Sequence, residues 1–449
     1  MHKAILFAII VLLLSIGSVA AQNEDPLAGV DPSGQTVVYW HQWAGAQLEA
    51  INDLIARFNE TNEWGITVEG VPQGLMGDIN NLMSAGITTG NLPNLAASFQ
   101  DTAQSYYLDG AVVPLDLYFD HPVWGFTEEE IENLNLDLIN INRIAGEPFN
   151  NQLLLWPIGV SANVMSINME MLAEVGYDRP PQTLEELREI VCATPQLTRP
   201  DGQQVQGYPL RTSATDLLSF AASQGGYIFD EENDRYDFTN DGVITVLEFF
   251  KDIYDSGCAY IPDGPFISTD DMAFGLNPMG MGSSVGIPFI NNNIRQSGSG
   301  IENWIMTTTP WSDDNRSLLV FLTSLIIVPS TPEEQLATWL FIKYMASNEA
   351  QIEWTERVNY QPYTISAAQG LSEEFIANVP QFGQVRDLFL DDSIRIINTP
   401  MVVSFNQVSG ILAELIANVT AGGQDILSAA QLAEAEANAI HEAAQASLR

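Results

Sequence analysis

The stretch Thr36–Pro72, "TVVYWHQWAGAQLEAINDLIARFNETNEWGITVEGVP", alternates the signals of strand and helix. Its first five residues are β-branched or aromatic, which favours a strand. Apolar residues then recur at helical spacing, at Leu48, Ile51, Leu54, Ile55 and Phe58. "GITVEGVP" is a second strand, "MGDINNLMSAG" a second helix and "NLAASF" a third strand, followed by a short helix over 103–108. This order predicts a parallel sheet with crossover helices.

The same alternation continues towards the carboxyl end of the chain. We expect a helix over 127–141, then two closely spaced apolar runs, "LLLWPIGV" and "ANVMSIN". Thr183 and Glu186 have the spacing of a capping box, and a second box follows the most hydrophobic strand, "LLVFLTSLIIV". There Thr331 caps, Pro332 takes the first helical position and Glu334 completes the box. The chain ends in a helix, a Gly-Gly break and another helix.

The amino terminus has the form of a secretory signal, predicted over residues 1–21. Lys3 precedes an apolar run of about 13 residues, which is shorter than the roughly 20 that a membrane-spanning helix needs. Small residues at 18–21 supply a cleavage site, and no cysteine follows for a lipoprotein anchor. Residues 22–36 read as a flexible leader. We therefore expect an exported protein, periplasmic or extracellular.

The chain is strongly acidic, with 57 Asp and Glu against 16 Lys and Arg. Loss of Lys3 with the signal would change the net charge from −41 to −42. Such a chain is repelled by nucleic acid and by anionic membranes, so neither is an expected partner. With 46% hydrophobic residues it can bury a large core, and its length suggests two domains or lobes.

The two cysteines, Cys192 and Cys258, predict one disulfide in an oxidising compartment, with two buried free thiols as the alternative. Cys and His are too few for a zinc site, and we expect no cofactor. "DFTNDGVITVLE", Asp237–Glu248, has nearly the spacing of a calcium-binding loop. That loop needs a preceding helix, which "GGYIFDEENDRY" does not predict. We interpret the stretch as the start of a helix, capped by Thr239 or Asn240.

Several stretches, taken in order, carry a family resemblance: "VVYWHQWAG", "LPNLAASFQDTAQSYYLDGAVVPLD", "WPIGVSANVMSINMEMLAEVGYDRPPQTLEEL", "YDFTNDGVITVLEFFKDIYDSG" and "LLVFLTSLIIVPSTPEEQLATWLFIKYMASNEAQIEWTERVNYQPY". The chain resembles the extracellular solute-binding proteins (family 1) of ABC importers, in the branch of sugar and glycerol-phosphate receptors. The resemblance covers nearly all of the chain after the signal.

The resemblance implies an α/β fold of the type 2 periplasmic-binding-protein class, with two lobes that close about a hinge. It implies an N-terminal lobe of 37–155 plus 323–361 and a C-terminal lobe of 156–322 plus 362–449. Crossing segments are expected near 156–157, 320–324 and 360–363. The implied partners are a small solute and the membrane subunits of an ABC permease, and the implied state is a monomer.

Candidate binding residues follow the ends of the first three strands, because ligands of open α/β sheets lie beyond the carboxyl ends of the strands. They are Gln42, Trp43, Gln73, Gln100 and Asp101. Amides and carboxylates bond to sugar hydroxyls, and Trp43 could stack on a sugar ring or instead pack against the next helix. The resemblance adds Ser161, Ser283, Ser284, Tyr360, Phe405 and Asn406.

The chain departs from the glycerol-phosphate receptors where phosphate would be bound. It lacks their paired tryptophans around Tyr208, and no arginine lies in "NTPMVVSFNQ". Arg211 and Arg395 are the candidates to replace the missing arginine, because phosphate is normally bound by a cation that donates two hydrogen bonds. A neutral mono- or oligosaccharide is therefore the expected solute, with glycerol-3-phosphate or a glycerophosphodiester as the alternative.

An enzyme is the less favoured interpretation. "GSSVG", residues 282–286, fits the Gly-x-Ser-x-Gly pattern of serine hydrolases, and Asp391 and His441 follow in the required order. However, Pro288 and Phe289 come soon after the motif, where a helix should begin, and His441 falls in a terminal helix. We expect a receptor without catalytic residues; a stand-alone extracellular polysaccharide-binding or scaffold protein is a further alternative.

Overall fold

The computed structural model describes residues 25–199, 202–264 and 266–447. The predicted signal, 1–21, lies outside these ranges. In chain order the strands are β1 (Thr36–His41), β2 (Thr67–Pro72), β3 (Leu95–Ser98), β4 (Arg143–Ile144), β5 (Gln152–Leu153), β6 (Trp156–Asn168), β7 (Tyr208–Pro209), β8 (Phe229–Asp230), β9 (Arg235–Tyr236), β10 (Ala259–Tyr260), β11 (Met279–Ser283), β12 (Trp304–Thr307), β13 (Ser317–Ile327) and β14 (Arg395–Ile397).

The α-helices surround these strands. They are α1 (Ala46–Thr61), α2 (Met76–Thr89), α3 (Gln100–Leu108), α4 (Asp116–Phe119), α5 (Glu128–Glu132), α6 (Leu136–Asn140), α7 (Met169–Glu174), α8 (Leu184–Ala193), α9 (Ala214–Ser223), α10 (Asp241–Asp255), α11 (Ile267–Ala273), α12 (Ile287–Ser297), α13 (Pro332–Met345), α14 (Asn348–Val358), α15 (Ile365–Gly370), α16 (Glu373–Asn378), α17 (Pro380–Phe389), α18 (Phe405–Val419) and α19 (Ile426–Ser447). None of these helices has the length and apolar character that a bilayer crossing requires.

The predicted strand and helix order of the first hundred residues is confirmed. β1 pairs in parallel with both β2 and β3, and the crossover helices α1 and α2 connect them. The capping box of α13 is also confirmed, since Thr331 and Glu334 exchange side-chain to backbone hydrogen bonds at 3.3 Å. Asn240 caps α10 by accepting from the Val243 backbone N–H at 3.2 Å. That is the helix start predicted for the calcium-like stretch.

Two local predictions need correction. The helix expected over 127–141 is broken into α5 and α6. Between them Asn135 donates its backbone N–H to the carbonyl of Tyr363, and Leu134 forms a bridge to Thr364, so tertiary partners replace the helical bonds. At α8, Thr183 caps as expected, but the Glu186 carboxylate accepts from the Gln182 N–H instead.

Two long strands hold the main sheet together. β13 pairs with β6 in antiparallel register, with a shift between Thr323 and Ser324. The later part of β13 also pairs with β3, while its first residues pair with β14. β11 and β12 pair with the end of β6. The two apolar runs near 153–168 therefore form one strand, β6, which reaches from the β1–β3 half of the sheet to the β11–β12 half.

Hydrophobic clusters lie on each half of this sheet. One is built around Trp156, Trp339 and Phe341, which pack with the apolar faces of β1 and α1. Another is built around Phe220 and Phe250, where α9, α10 and α18 cover the end of β6. Between these clusters, the segments near 156–160, 320–325 and 360–363 lie side by side, since Gln361 bridges to Val160 beside the β6–β13 pairing.

Candidate functional site

A gap interrupts the main sheet beside β13. β14 pairs with residues 317–319 of that strand, and β3 pairs with residues 324–327. In the described chain, no strand pairs with residues 320–323 on this side. Because β14 runs parallel to β13 and β3 runs antiparallel to it, the carboxyl ends of both strands point at this gap. Strand ends that converge in this way are where α/β sheets bind ligands.

A cavity of about 220 Å³ occupies the gap. It brings together four residues predicted from the sequence: Gln100, Asp101, Phe405 and Asn406. The first two follow β3, and the other two begin α18. The cavity is completed by residues that the sequence did not single out, among them Phe99, Phe321, Asn398 and Met401. Asn398 directly follows β14, so a search of every strand end would have found it.

Gln100 is held by buried polar groups behind it. Its Nε2 donates to Asn142 Oδ1 at 2.9 Å and to Ser324 Oγ at 3.3 Å. Ser324 Oγ in turn donates to Asn142 Oδ1 at 2.8 Å, and both residues are fully buried. The amide nitrogen of Gln100 therefore faces the protein, and the position of this side chain depends on the segment where β13 changes register.

Ser161 and Asn163 lie two residues apart on β6 and so share one face of the strand. Ser161 pairs with Phe321 across the strands. Asn163 Nδ2 donates to Asp216 Oδ1 at 3.1 Å, and Asp216 accepts from Arg211 Nε at 2.7 Å and also from its Nη2. Although burial alone would lower the pKa of Arg211, the charge of Asp216 raises the pKa above its ordinary value. Arg211 is thus a cation already bound to a buried carboxylate.

Trp43 and Tyr360 belong to an aromatic cluster. Trp43 is 1% exposed, and its indole N–H donates to Tyr39 Oη at 3.1 Å. Its ring meets Trp354 edge-on, with centroids 5.0 Å apart, and Tyr360 with centroids 5.8 Å apart. A Cβ at Gly159 would lie 3.2 Å from the Tyr360 ring, so glycine permits this close contact. In this conformation Trp43 packs against Trp354 of α14 and against Tyr360, and its role towards a ligand stays a prediction.

The other predicted residues lie outside the gap cavity. Gln42 is half-buried, and its Oε1 has no hydrogen-bond partner in the described chain. Gln73 continues the pairing of β2 by donating its backbone N–H to the His41 carbonyl at 2.9 Å. Ser283 ends β11, and Ser284 Oγ accepts from the Ala162 backbone N–H at 3.0 Å. Their roles towards a ligand stay predictions.

A second cavity, of about 520 Å³, adjoins the first and shares Met401 with it. Phe149 and Phe229 line it from two different hydrophobic clusters. Glu147 and Asp234 add carboxylates to its wall. This cavity was not predictable from the sequence, because its residues come from segments far apart along the chain.

The strand–turn–helix context of the "GSSVG" motif is present, since β11 ends at Ser283 and α12 begins at Ile287. The expectation that Pro288 would oppose a helix here was wrong, because proline is tolerated in the first helical turn. His441 is engaged elsewhere: its Nδ1 bonds with Ser404 Oγ at 2.9 Å and its Nε2 with Asp234 at 3.1 Å. The three residues of the hydrolase hypothesis are therefore not assembled.

Cys192 and Cys258 are joined by a disulfide, with their Cα atoms 4.5 Å apart. Around Asp237 the side chains bond to one another and to the backbone, as in the bonds from Thr239 to Asp237 Oδ1. Across the described ranges, no group of three or more acidic, histidine or cysteine side chains is placed to hold a metal ion.

Comparison with known proteins identifies the family. The model of the bacterial extracellular solute-binding proteins matches residues 53–383, so the chain belongs to this family. The sn-glycerol-3-phosphate-binding periplasmic protein UgpB of Salmonella typhimurium is 24% identical over 364 residues, which are 76% of each chain. The predicted family is therefore confirmed.

Solved structures confirm the predicted fold class. The cyclic α-maltosyl-1,6-maltose binding protein from Arthrobacter globiformis superposes with a TM-score of 0.75, at 17% identity, over 90% of this chain and 98% of the other. The sugar-binding protein MalE from the phytopathogen Xanthomonas citri gives a TM-score of 0.76, at 18% identity, over 91% and 98%. The chain thus has the two-lobed α/β fold of this class.

Proposed function

We propose that this protein is the exported receptor of an ABC importer, and that it binds a neutral carbohydrate between its lobes without catalysing a reaction. The observation that carries the proposal is the gap cavity, where two strand ends and the start of α18 converge on the crossing strand β13. The lobes would be 37–155 plus 323–361 and 156–322 plus 362–449. The receptor would act as a monomer that delivers its solute to the permease subunits.

The chemistry of the cavity suits hydroxyl groups. Asp101 and Asn406 offer a carboxylate and an amide from opposite walls, and Phe405 offers an aromatic ring. Aromatic rings pack well against the apolar face of a sugar, while amides and carboxylates bond to its hydroxyls. The adjoining cavity, with Phe149 and Phe229, supports a ligand of more than one sugar ring.

Charge opposes an anionic solute. No arginine or lysine is among the described residues that line the gap cavity, whereas Asp101 is. Arg211 is paired with Asp216, and Arg395 Nη2 donates to the Ala222 carbonyl at 3.2 Å. Arg211 is therefore not a free bidentate partner for phosphate, and Arg395 does not line the gap cavity.

Glycerol-3-phosphate is the second candidate, on two observations. The relative from Salmonella typhimurium is a receptor for it. In addition, Phe405 and Asn406 place the amino terminus of α18 at the cavity, where the helix dipole favours an anion. Asp101 on the opposite wall reduces this preference.

Isothermal titration calorimetry of the exported protein would decide between these solutes, with maltose, maltotriose, cellobiose and glycerol-3-phosphate as probes. Micromolar binding of a neutral sugar is the expected result, corresponding to about −8 kcal/mol. Binding of glycerol-3-phosphate alone would overturn the carbohydrate proposal. Binding of none of the probes would remove support from both candidates.

Two variants would place the site. Phe405→Ala should weaken binding about tenfold to a hundredfold, because an aromatic contact is lost, and Asn406→Ala about tenfold, because a hydrogen bond is lost. The matched control is Gln407→Ala, an exposed neighbour on α18 that does not line the cavity. Equal effects of the three variants would show that the ligand binds elsewhere.

A further inference from the structure

A second concave surface lies apart from the gap cavity. The end of α1, the loop around 123–134 and the junction of α13 and α14 enclose a groove of about 1020 Å³. We name it the Trp64 groove, after a residue in the turn that follows α1. The residues that define it are Trp64, Trp124, Phe126, Lys343, Tyr344 and Thr364. It shares no lining residue with either cavity described above. Its volume is at the upper end of small-molecule sites.

The walls of this groove are aromatic and have unused donors. Trp64 and Trp124 are half-buried and meet edge to face, with ring centroids 6.3 Å apart. In the described chain neither indole N–H has a protein acceptor. The indoles of Trp156, Trp339 and Trp354, by contrast, donate to protein oxygens at 2.9–3.1 Å. The two groove tryptophans therefore keep both an apolar face and a donor for another molecule.

The charges of the groove disfavour an anionic ligand. Lys343 Nζ donates to the Gly125 carbonyl at 2.6 Å, pairs with Glu130 at 3.2 Å and lies 5.3 Å from the centroid of the Phe126 ring. This cation is therefore committed, and Glu63 on the rim repels anions. A cationic ligand would compete with Lys343 for Phe126.

We propose that the Trp64 groove is a second carbohydrate-binding site, which takes a neutral saccharide on the faces of Trp64 and Trp124. The saccharide supplies apolar C–H faces for the two rings and an acceptor for each indole N–H. It requires no compensating charge. The site is independent of the cleft between the lobes, so solute capture and saccharide attachment occur on different surfaces of one molecule.

Saturation-transfer NMR would test this with millimolar maltotriose, cellotriose and chitotriose. The double variant Phe405→Ala/Asn406→Ala should weaken cleft binding by about a hundredfold or more, and the expected result is that transfer to at least one trisaccharide persists. Trp64→Ala/Trp124→Ala in that background should weaken the remaining binding at least tenfold, whereas Trp64→Tyr should retain most of it. The control Phe289→Ala removes an aromatic side chain that is 73% exposed and lies outside the groove.

The proposal is overturned if no trisaccharide gives transfer in the cleft variant, or if the loss of both tryptophans leaves that transfer unchanged. Loss of cleft binding alone bears only on the function proposed above, so the two failures are distinguishable.

Discussion

The ion pair of Arg211 with Asp216 provides a test of how the polar side chains near the gap cavity are stabilised. The side chains are 19% and 3% exposed, and the contact is bidentate. Asp216 also accepts from Asn163 Nδ2 on β6. Removal of either charge leaves the other buried without its partner. The perturbation is therefore a double-mutant cycle of Arg211→Met, Asp216→Leu and the two together.

The expected magnitudes follow from the burial. Removing one member of a buried pair is expected to lower the free energy of unfolding by about 3–5 kcal/mol. The double variant replaces the pair by apolar side chains of similar size, and it should unfold within about 1–2 kcal/mol of the parent. The coupling energy between Arg211 and Asp216 should therefore be about 3 kcal/mol or more.

Urea unfolding of the four proteins at pH 7, followed by tryptophan fluorescence and far-UV circular dichroism, would measure these free energies. The same proteins would be titrated with maltotriose and glycerol-3-phosphate. Additive effects on stability, with no coupling, would refute the inference that Arg211 is committed to Asp216. A loss of glycerol-3-phosphate binding in Arg211→Met would also refute it, because Arg211 would then have a role in phosphate recognition.

Two further perturbations concern stability. The disulfide closes a loop between cysteines 66 residues apart, so Cys192→Ser/Cys258→Ser should lower the free energy of unfolding by about 4 kcal/mol. Denaturant unfolding would measure this change. A loss below about 1 kcal/mol would contradict the expectation. Burial lowers the pKa of His41 to about 4 from 6.5. As the pH falls, the imidazole stays neutral in the folded state while the unfolded chain takes up a proton. The contribution of His41 to the free energy of unfolding is therefore full above pH 6.5 and is lost towards pH 4. The parent should lose about 3 kcal/mol more than His41→Asn between pH 7 and pH 4, and equal losses in the two proteins would contradict the assignment.

How far the sequence predicted the site depended on the position of each residue in the chain. Gln100 and Asp101 were predictable because they directly follow a recognisable strand, and parallel strands share the edge at which their carboxyl ends lie. Phe405 and Asn406 came from the family resemblance. The role of Asn163 was not predictable, because it lies inside an apolar run and the neighbouring residues do not indicate its hydrogen-bond partners. Asp216, one residue among 57 acidic ones, was hidden for the same reason.

The sequence by itself determined the class of this protein: periodic apolar residues, capping residues and the order of the strands are local signals, and they specified the α/β architecture and the family. Only the tertiary structure decided where a ligand can lie. The gap beside residues 320–323 exists because β14 and β3 approach β13 from opposite ends and stop short of each other. The Trp64 groove likewise joins segments almost 300 residues apart. Such surfaces depend on long-range contacts, which no local pattern of residues encodes.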